Sequence, residues 1–579
     1  MRRAFFLLML LAPGLAAAQA TEMRVRLYSL LPPASLTISP RNGAVRWRAC
    51  ATCHDSILRD SLQIDAADGR LHLAGQSQNY ASILITGAYR LAGSQHAPFE
   101  AAFPLEIRAR GPWLLLTLRL PLEDYVAAVL AAESGNQQSD QSLQAMAVAA
   151  RTFAVHFRGR HKTEAFDFCD TTHCQDFRFS AINDRIRVAV EATEGELLWY
   201  EGRPAAAYYH QNCGGTTADA ADVWPGHKLP YLREHIDPYC SRSNGSQWHS
   251  SLAKADLEKA LTAAGLHPPA AWKRLEVKSR TAGGRALRLR FTGAADANAT
   301  MSASSFRFAV DRALGWNQIR SDLYDLRDSG DQIIFTGRGS GHGVGLCQAG
   351  ATEMGKEGKG YREILAFYYP GTTLGATAQG LAWASQSGER LELVTTQGRE
   401  DAPLIATGEK LMREAESATG LRFDFRPRLK VYPSLDTYRD STGAPGWVAA
   451  STLGHTVRMQ PAALLNAHSV LDSTLRHEFI HLLVEAHARP GLPLWFREGI
   501  VLYLSNPGEG NSAGAPINQD MERMFQHAAD RGQMEKAYGA ARARVAALIQ
   551  QNGKDRVTSW LARGLPANLA TIVAEPSHH

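Results

Sequence analysis

The sequence predicts an α+β protein with a mainly-β N-terminal region, a mixed α/β central domain and a separate α+β C-terminal domain. Residues 21–120 alternate apolar and polar side chains in short runs that Gly and Pro interrupt, which is typical of antiparallel strands. The central domain, residues 121–373, begins with apolar residues at helical spacing up to residue 159. Residues 374–388, rich in Ala, Gly, Ser and Gln, indicate a linker, and strands and helices begin again in residues 389–579.

The first twenty residues have the pattern of a secretory signal peptide. Two arginines precede an apolar run, and small residues lead to Ala18-Gln19-Ala20, an A-x-A cleavage site. The run is too short to span a bilayer, and no later segment reaches the required length of about 20 apolar residues. We therefore expect cleavage of residues 1–20 and export to the periplasm or cell envelope, with no membrane span after cleavage.

Composition excludes several classes of protein. A chain of 579 residues that is 45% hydrophobic and 21% charged can bury large cores, so it is neither disordered nor collagenous. The formal net charge is +5 and no basic stripe occurs, which argues against a nucleic-acid partner. Because the 7 cysteines are an odd number, at least one thiol is free, metal-bound or paired outside the chain.

Two predicted helices within residues 121–159 carry a carboxyl group and a guanidinium group. Glu133 ends the first helix at the rim of an apolar surface, where desolvation raises a carboxyl pKa and suits it to general-acid catalysis. Arg151 projects from the same face of the second helix as Leu143 and Ala147, so we expect it to be partly buried beside an anionic partner. A structural pair between Arg151 and Glu133 is the alternative, and it would make Glu133 a poorer acid.

A compact group of sulfur and nitrogen ligands follows these helices. Cys169, His173 and Cys174 lie within one short segment, and His161 lies just upstream. Two thiolates and two imidazoles would make a closed tetrahedral zinc site of the structural kind. A disulfide or a satisfied histidine is the alternative, and His156 competes with His161 for the place of the fourth ligand.

The other cysteines allow several interpretations. Residues 50–54 read Cys-Ala-Thr-Cys-His, which is the attachment signature of a c-type haem. Such haems occur in helical domains, whereas this segment lies between predicted strands, so a local disulfide is favoured over haem. Cys213 and Cys240 could pair in an oxidising compartment, which leaves Cys347 as the odd thiol.

The C-terminal domain contains His477, Glu478 and His481 in the order H-E-x-x-H within a helical stretch. Residues four apart lie about 40° apart around a helix, so both imidazoles reach one cation while Glu478 reaches a bound water. Glu498, on the next predicted helix, is the preferred third ligand, because His487 lies about 240° around the helix from His481. The pattern predicts a catalytic zinc site with an open fourth position.

Residues 389 to about 510 resemble the peptidase MA-like gluzincin domains. The features that carry the resemblance are a strand ending in Tyr432-Pro433-Ser434, a Trp447-Val448 strand, H-E-x-x-H and L-P-x-W-x-x-E-G. The resemblance implies a zinc hydrolase with His477, His481 and Glu498 as ligands and Glu478 as general base. Tyr503 is a candidate oxyanion donor by position only, and a metal-free, non-catalytic scaffold is the alternative.

Six sequence strings between residues 122 and 351 resemble the SpoIID/LytB family. They are, in chain order, EDYVAAVLAAES, LQAMAVAARTFAV, CDTTHCQ, YYHQNCGGTTA, DVWPGHKLPYLREHIDPYC and GRGSGHGVGLCQAGA. Characterised members of this family are sporulation-associated lytic transglycosylases of peptidoglycan glycan strands, and amidase-enhancer proteins that stimulate a cell-wall amidase. The resemblance implies a peptidoglycan glycan partner and admits a cell-wall amidase as a second partner.

The resemblance also assigns residues. It makes Glu133 the catalytic acid and places Arg151, Tyr231 and Arg233 along the glycan cleft, and some family members bind zinc at the Cys169 segment. His342, inside a glycine-rich run, is a further candidate for substrate contact. A lone acid suits lytic transglycosylation, because the sugar's own 6-hydroxyl attacks and leaves a 1,6-anhydro end. Ordinary glycosidases need two carboxyl groups.

We therefore expect an exported cell-wall protein that binds and cleaves peptidoglycan glycan strands as a lytic transglycosylase and is fused to a zinc metallopeptidase acting on a peptide or protein. Two alternatives are open. One is a non-catalytic glycan-binding activator of an amidase, and the other is a zinc peptidase that the central domain targets to the wall. Substitution of Glu133 separates the first two functions, and substitution of Glu478 tests the third.

Overall fold

The computed structural model describes residues 22–569 except for short gaps. The gaps are residues 42–44, 51–52, 94–95, 135–136, 138, 225, 227, 244–245, 294–296, 445, 490, 506–530 and 567–568. The predicted signal peptide therefore lies outside the described residues. The chain divides into two compact units, residues 22–380 and residues from 381 onward. Each unit combines helices with sheets, which confirms the predicted α+β class.

Two mainly antiparallel sheets account for the N-terminal strands. In the strand Trp113–Leu120 every second residue is buried, so the alternation seen in the sequence places one face of the strand on the core. The seven-stranded sheet contains, in spatial order, Phe168–Cys169, Met23–Leu27, Trp113–Leu120, Leu105–Arg110, Ser82–Thr86, Val45–Arg48 and Ser56–Leu58. The six-stranded sheet contains His96–Ala101, Tyr89–Gly93, Ser35–Pro40, Leu62–Ala67, Arg70–Leu73 and Asn79–Tyr80.

The two helices predicted from the change of period are Leu122–Glu133 and Asp140–His156. Ser139 caps the second helix, because its Oγ accepts a hydrogen bond from the backbone N–H of Ser142. Both helices share one hydrophobic core with the N-terminal strands, so residues 21–120 and the helices form one packed body. Its remaining helices are Asp184–Ala192, Ala220–Val223, Gln348–Lys356 and Tyr361–Tyr368, and its remaining strands are Leu197–Tyr200, Arg203–Pro204, Tyr209–His210, Leu346–Cys347 and Thr373–Gly375.

Residues 247–338 form a lobe with a hydrophobic core of its own, which the sequence analysis had treated as a continuous part of the central domain. The alternating pattern predicts the strands of this lobe, but it does not show that their buried faces pack into a separate core. Its strands are Gln247–Ala253, Arg274–Arg280, Ala286–Thr292, Asn298–Ser302, Tyr324–Ser329 and Gln332–Arg338, and its helices are Lys254–Ala263 and Ala303–Leu314.

The second unit packs helices on one five-stranded mixed sheet around a separate core. The strands are, in spatial order, Ala384–Ser387, Glu392–Thr395, Arg428–Val431, Thr456–Met459 and Ala450–Leu453. The helices are Gly398–Asp401, Pro403–Thr419, Leu435–Thr442, Ala462–Ala467, Leu471–His487, Leu494–Ser505, Arg531–Asn552 and Lys554–Arg563.

The predicted linker at residues 374–388 contains the division between the two units, after residue 380, but strands occupy both of its ends. Thr373–Gly375 pairs with Leu197–Tyr200, and Ala384–Ser387 pairs with Glu392–Thr395. Ala384–Ser387 is an edge strand, which makes hydrogen bonds on one side only and tolerates the small polar residues that look like a linker in the sequence. Among the residues that the structure describes, no helix is both long and apolar enough to cross a membrane.

Candidate functional sites

Glu133 is the last residue of the helix Leu122–Glu133, where the chain leaves the hydrophobic core. Its Oε1 accepts a 3.1 Å hydrogen bond from the backbone N–H of Asp176. Burial raises the pKa of Glu133 to about 7, an effect that the Asp176 N–H, the Gln348 side chain and Arg178 partly oppose. The carboxyl group is therefore protonated in a large fraction of molecules near neutral pH, as a general acid must be.

A chain of neutral hydrogen bonds lies beside this acid. The Tyr125 hydroxyl donates to Gln175 Oε1 over 3.0 Å, and Gln175 Nε2 donates to the Tyr209 hydroxyl over 2.9 Å. Burial holds the pKa of both tyrosines well above the ordinary value, and the nearby Glu133 carboxylate adds to the effect. The surroundings of Glu133 are therefore uncharged on this side, which favours the protonated acid. Gln175 and Tyr209 are distant in sequence from Glu133, so no local pattern indicated their role.

Asp176 is the second carboxyl group near Glu133, and it too was missed. Its Oδ1 accepts the backbone N–H of Phe177 over 3.1 Å, and its Oδ2 lies 3.5 Å from Arg178 Nη2. Both carboxylate oxygens therefore have partners of their own. Asp176 lies directly after the CDTTHCQ segment, so a pattern search for acid pairs around that segment could have found it.

Arg151 is fully buried, with 0% of its surface exposed, and the anionic partner expected for it is Glu123. Its Nε and Nη2 donate to Glu123 Oε1 and Oε2 over 2.9 and 2.6 Å. Its Nη1 donates to Thr193 Oγ1 and to the backbone oxygen of Glu196. It cannot contact a glycan, and it does not pair with Glu133. The two helices are antiparallel neighbours, which brings the start of the first, with Glu123, beside the end of the second.

Tyr231 is also buried in the core and does not line an open cleft. Only 3% of its surface is exposed, its hydroxyl accepts the backbone N–H of Ala206 over 2.9 Å, and its ring lies 4.8 Å from that of Tyr200. Direct contact with a glycan strand is therefore excluded in this conformation. The family resemblance placed Tyr231 along the glycan cleft, whereas in the structure its hydroxyl satisfies a buried backbone donor.

Arg233 and His342 stay accessible, so their predicted contacts with glycan remain predictions. Arg233 is exposed, with Nε 2.9 Å from Asp219 Oδ2. His342 is half-buried, its Nδ1 accepts the backbone N–H of Val344 over 3.1 Å, and its ring lies 4.9 Å from that of Trp224. Burial lowers the pKa of His342 well below its ordinary value, so this imidazole is neutral and can offer an aromatic face.

The four predicted ligands of the central domain come together. One ligand atom each of His161, Cys169, His173 and Cys174 lies within 4.8 Å of all the others. His161 Nε2 is 3.3 Å from Cys174 Sγ, and the two sulfur atoms are 3.1 Å apart without a disulfide. The donor set fits a closed tetrahedral zinc site, so these residues could hold that ion.

The choice between His161 and His156 is settled by position. His156 Nδ1 lies 2.8 Å from the backbone oxygen of Pro204, away from the sulfurs. His161 Nδ1 lies 3.1 Å from Glu164 Oε1, which leaves Nε2 for a metal. A carboxylate on the far nitrogen orients the ring and makes it a better ligand. We call His161, Cys169, His173 and Cys174 the His161 cluster.

The predicted metal ligands of the C-terminal unit also converge. Ligand atoms of His477, His481 and Glu498 lie within 4.8 Å of one another, and His481 Nε2 is 3.1 Å from Glu498 Oε1. The histidines are one turn apart on the helix Leu471–His487, and Glu498 comes from the next helix. His487 is not one of these ligands. Its Nδ1 forms a hydrogen bond with the backbone oxygen of Leu483, one turn earlier in the same helix.

Glu478 lies beside these ligands and is buried. Its Oε2 accepts a 2.7 Å hydrogen bond from Thr452 Oγ1, a contact between the helix and the strand Ala450–Leu453 that the sequence pattern could not show. One carboxylate oxygen is thereby fixed in direction. A general base needs this kind of orientation toward the atom from which it takes a proton.

Tyr538 is a further residue at this site that sequence reasoning missed. It belongs to the helix Arg531–Asn552, and burial raises its pKa above the ordinary value, with added contributions from Glu498 and Glu478. Tyr503, the positional candidate, is partly buried against the hydrophobic core of this unit. Tyr538 is far from the motif in sequence, so no local signal pointed to it.

The remaining cysteines behave in two ways. Cys50 and Cys53 form a disulfide, so the two sulfurs that haem attachment would need are already bonded to each other. Cys213 and Cys240 are not joined, although the sequence suggested that pair, and Cys347 is buried with them.

Comparisons with known proteins match the N-terminal unit's motifs. A family model described as Stage II sporulation protein (SpoIID) matches residues 114–200. An uncharacterised protein of Brachyspira hyodysenteriae is 31% identical over 263 residues, which is 45% of this chain and 68% of that protein. Stage II sporulation protein D of Bacillus subtilis is 29% identical over 273 residues, covering 44% and 74% of the two chains. The amidase enhancer of Bacillus subtilis is 27% identical over 273 residues, covering 40% and 38%.

Proposed function

Since the chain belongs to the SpoIID/LytB family, we propose that it is an exported cell-wall protein that binds peptidoglycan glycan strands and cleaves them as a lytic transglycosylase. The observation that carries the proposal is the carboxyl group of Glu133, whose pKa burial raises to about 7. A group with this pKa can donate a proton and accept one back at the same pH.

The reaction needs both of these steps from one residue. Glu133 donates its proton to the glycosidic oxygen, and the bond from that oxygen to the anomeric carbon breaks. The 6-hydroxyl oxygen of the same sugar bonds to the anomeric carbon, and its proton returns to the Glu133 carboxylate. The products are a 1,6-anhydro end and a free 4-hydroxyl, and no water is consumed.

The partners of Asp176 favour this course over hydrolysis. A hydrolase needs a second carboxylate that acts as a nucleophile or holds a water. Both oxygens of Asp176 are engaged, one by the N–H of Phe177 and one by Arg178. A carboxylate held in this way within its own segment is less available to hold a water, which favours the substrate's own hydroxyl as nucleophile.

The His161 cluster supports the site without taking part in the chemistry. Its four ligands leave no open position, which is the mark of a structural zinc site. The chain runs from Cys174 directly into Gln175 and Asp176, which border Glu133. Zinc bound there would fix the segment that holds the acid.

For the C-terminal unit we propose a zinc peptidase. His477, His481 and Glu498 are two imidazoles and a carboxylate, the donor set of many catalytic zinc sites. When bound, zinc supplies Lewis acidity to a scissile carbonyl group. Glu478, oriented by Thr452, accepts a proton, and Tyr538 donates a hydrogen bond where negative charge develops on the substrate.

A second candidate function for the central domain is activation of a cell-wall amidase. The similarity to the amidase enhancer of Bacillus subtilis favours it, and an exposed Arg233 would serve binding as well as cleavage. Incubating glycan strands with the wild type and with Glu133→Gln tests the choice. We expect both to bind and only the wild type to produce 1,6-anhydro ends, whereas intact strands with both would favour the activator.

A further inference from the structure

Three cysteines and an aspartate from three separate segments meet inside the first unit. Cys213, Asp237, Cys240 and Cys347 are all buried, and one ligand atom of each lies within 4.8 Å of the others. Cys213 follows the strand Tyr209–His210, Cys347 ends its parallel neighbour Leu346–Cys347, and the other two belong to a turn. The sequence suggested a Cys213–Cys240 pair with Cys347 as the odd thiol, whereas in the structure these three cysteines and Asp237 form one group.

From this arrangement we propose a further zinc site, formed by the three thiolates and the Asp237 carboxylate. We call these four residues the Cys347 cluster. Zinc binds thiolate sulfur at about 2.3 Å, so sulfurs at the corners of a tetrahedron lie about 3.8 Å apart. Four donors that are already within 4.8 Å of one another need only small shifts to reach this geometry.

The backbone around the cluster favours thiolates. The N–H of Cys213 lies 3.2 Å from Cys347 Sγ, and the N–H of Gly350 lies 3.4 Å from the same sulfur. The N–H of Gly215 lies close enough to Cys240 to favour its thiolate, whereas the N–H of Gly214 donates to Asn212 Oδ1 over 2.8 Å. Backbone donors aimed at sulfur stabilise its anionic form, which is the form that binds metal.

The carboxylate is held in position in the same way. Asp237 Oδ1 accepts the backbone N–H groups of Tyr239 and Cys240 over 3.1 and 2.9 Å. Its Oδ2 accepts the Tyr368 hydroxyl over 2.9 Å and lies 3.2 Å from Cys213 Sγ. The oxygen that faces the sulfurs is therefore oriented by its neighbours, as ligands of metal sites usually are.

A buried cation offsets part of the charge that such a site would carry. Three thiolates and one carboxylate around a dication leave a net negative charge, which is unfavourable in a core unless it is compensated. Arg285 is buried, and its Nη2 donates to the backbone oxygens of Cys213 and Thr216 over 2.6 and 2.8 Å. Its Nε and Nη1 have no hydrogen-bond partner among the described residues, and its charge acts on both Cys213 and Asp322.

A disulfide accounts for these contacts less well. It would join two sulfurs and leave the third thiol and a buried carboxylate beside it without a cation between them. It would also give no role to the N–H groups that point at sulfur. Zinc uses all four side chains.

Cobalt substitution of the full-length mature protein tests the proposal, because Co²⁺ absorbs by charge transfer from each thiolate that it binds. The Cys347 cluster holds three of the five free thiols and the His161 cluster holds two. We expect Cys213→Ser/Cys240→Ser/Cys347→Ser to retain about two-fifths of the wild-type band, and Cys169→Ser/Cys174→Ser to retain about three-fifths. His477→Ala/His481→Ala should leave the band unchanged, since it removes no thiolate. A triple variant with an undiminished band would overturn the proposal.

A measurement on the wild type keeps the test decisive if the triple variant does not fold. The protein as isolated is treated with an alkylating reagent, with and without a chelator, in a concentration of urea at which these buried thiols become accessible once metal is removed, and its cysteines are mapped by mass spectrometry. We expect Cys213, Cys240 and Cys347 to react only after chelation. A disulfide between any two of them, or labelling that the chelator does not change, would contradict a metal at this site.

Discussion

The backbone N–H of Asp176 donates a 3.1 Å hydrogen bond to Glu133 Oε1, and Asp176 lies two residues after Cys174. The candidate acid is thus held by the chain segment that leaves the His161 cluster. This contact joins a candidate structural metal site to a candidate catalytic residue through three consecutive residues. It also explains how a carboxyl group with a raised pKa stays in one orientation.

The rate of glycan cleavage should fall as pH rises through about 7. Burial raises the pKa of Glu133 to about 7, and only the protonated form can donate a proton to the glycosidic oxygen. A pH profile of the initial rate checks this, with binding to glycan strands measured over the same range as a control. A rate that increases through pH 7 would contradict the role of Glu133 as the acid.

Glu133→Gln should raise the free energy of unfolding at pH 8 but not at pH 4. Because the pKa is higher in the folded than in the unfolded protein, Glu133 destabilises the fold increasingly from about pH 4.5, where the unfolded chain begins to release this proton, up to about pH 7. Below pH 4 the group is mostly protonated in both states. Glutamine stays neutral, so the expected gain at pH 8 is about 1 to 3 kcal/mol. Urea unfolding at the two pH values measures it, and an equal change at both would refute the raised pKa.

Cys174→Ser should reduce both zinc content and glycan cleavage. The substitution removes a sulfur from the His161 cluster and releases the segment that carries Asp176, so we expect a loss of about tenfold or more in rate. Cys50→Ser/Cys53→Ser is the matched control, because it removes two sulfurs that form a disulfide elsewhere. Full cleavage by a Cys174→Ser protein that has lost its zinc would disprove the coupling.

Arg151→Met should destabilise the protein by about 3 to 5 kcal/mol, because it leaves Glu123 without its buried partner. Arg233→Ala removes an exposed side chain, so its effect on stability should be below about 0.5 kcal/mol, while glycan binding weakens. Urea unfolding and a binding assay on both variants check the contrast. A stable Arg151→Met protein that fails to bind glycan would restore Arg151 to the binding site.

Tyr538→Phe should lower peptide cleavage by about 100-fold or more without changing zinc content. The phenol lies near both Glu478 and Glu498, and one lost donor to a developing oxyanion has an effect of this size. Tyr503→Phe is the control. Because Tyr503 packs against the core, this variant should cleave peptide at the wild-type rate. A greater loss of peptide cleavage with Tyr503→Phe would show that Tyr503, and not Tyr538, is the hydrogen-bond donor to the substrate.

Much of the fold and of both candidate sites could be predicted from sequence, for a physical reason. The helices around Glu133 and Arg151 follow from apolar spacing, and the H-E-x-x-H ligands follow from residues one turn apart on one helix. The His161 cluster lies within one short segment. In each case the information is local in the chain.

The errors concern contacts between distant segments. Arg151 pairs with Glu123 because the two helices run antiparallel, and Tyr231 is buried because Ala206 needs its hydroxyl. Tyr538 and the third cysteine of the Cys347 cluster reach their sites only through tertiary packing. Apolar periodicity describes which face of an element is buried, but it does not tell what covers that face.

The most direct measurement is mass spectrometry of glycan strands after incubation with the mature protein in water enriched in ¹⁸O. A lytic transglycosylase uses the sugar's own 6-hydroxyl, so we expect new 1,6-anhydro ends without ¹⁸O from the wild type, and none from Glu133→Gln. New reducing ends that carry ¹⁸O would show that water is the nucleophile, and strands that stay intact although bound would show no cleavage. Either result would contradict the proposed chemistry of Glu133.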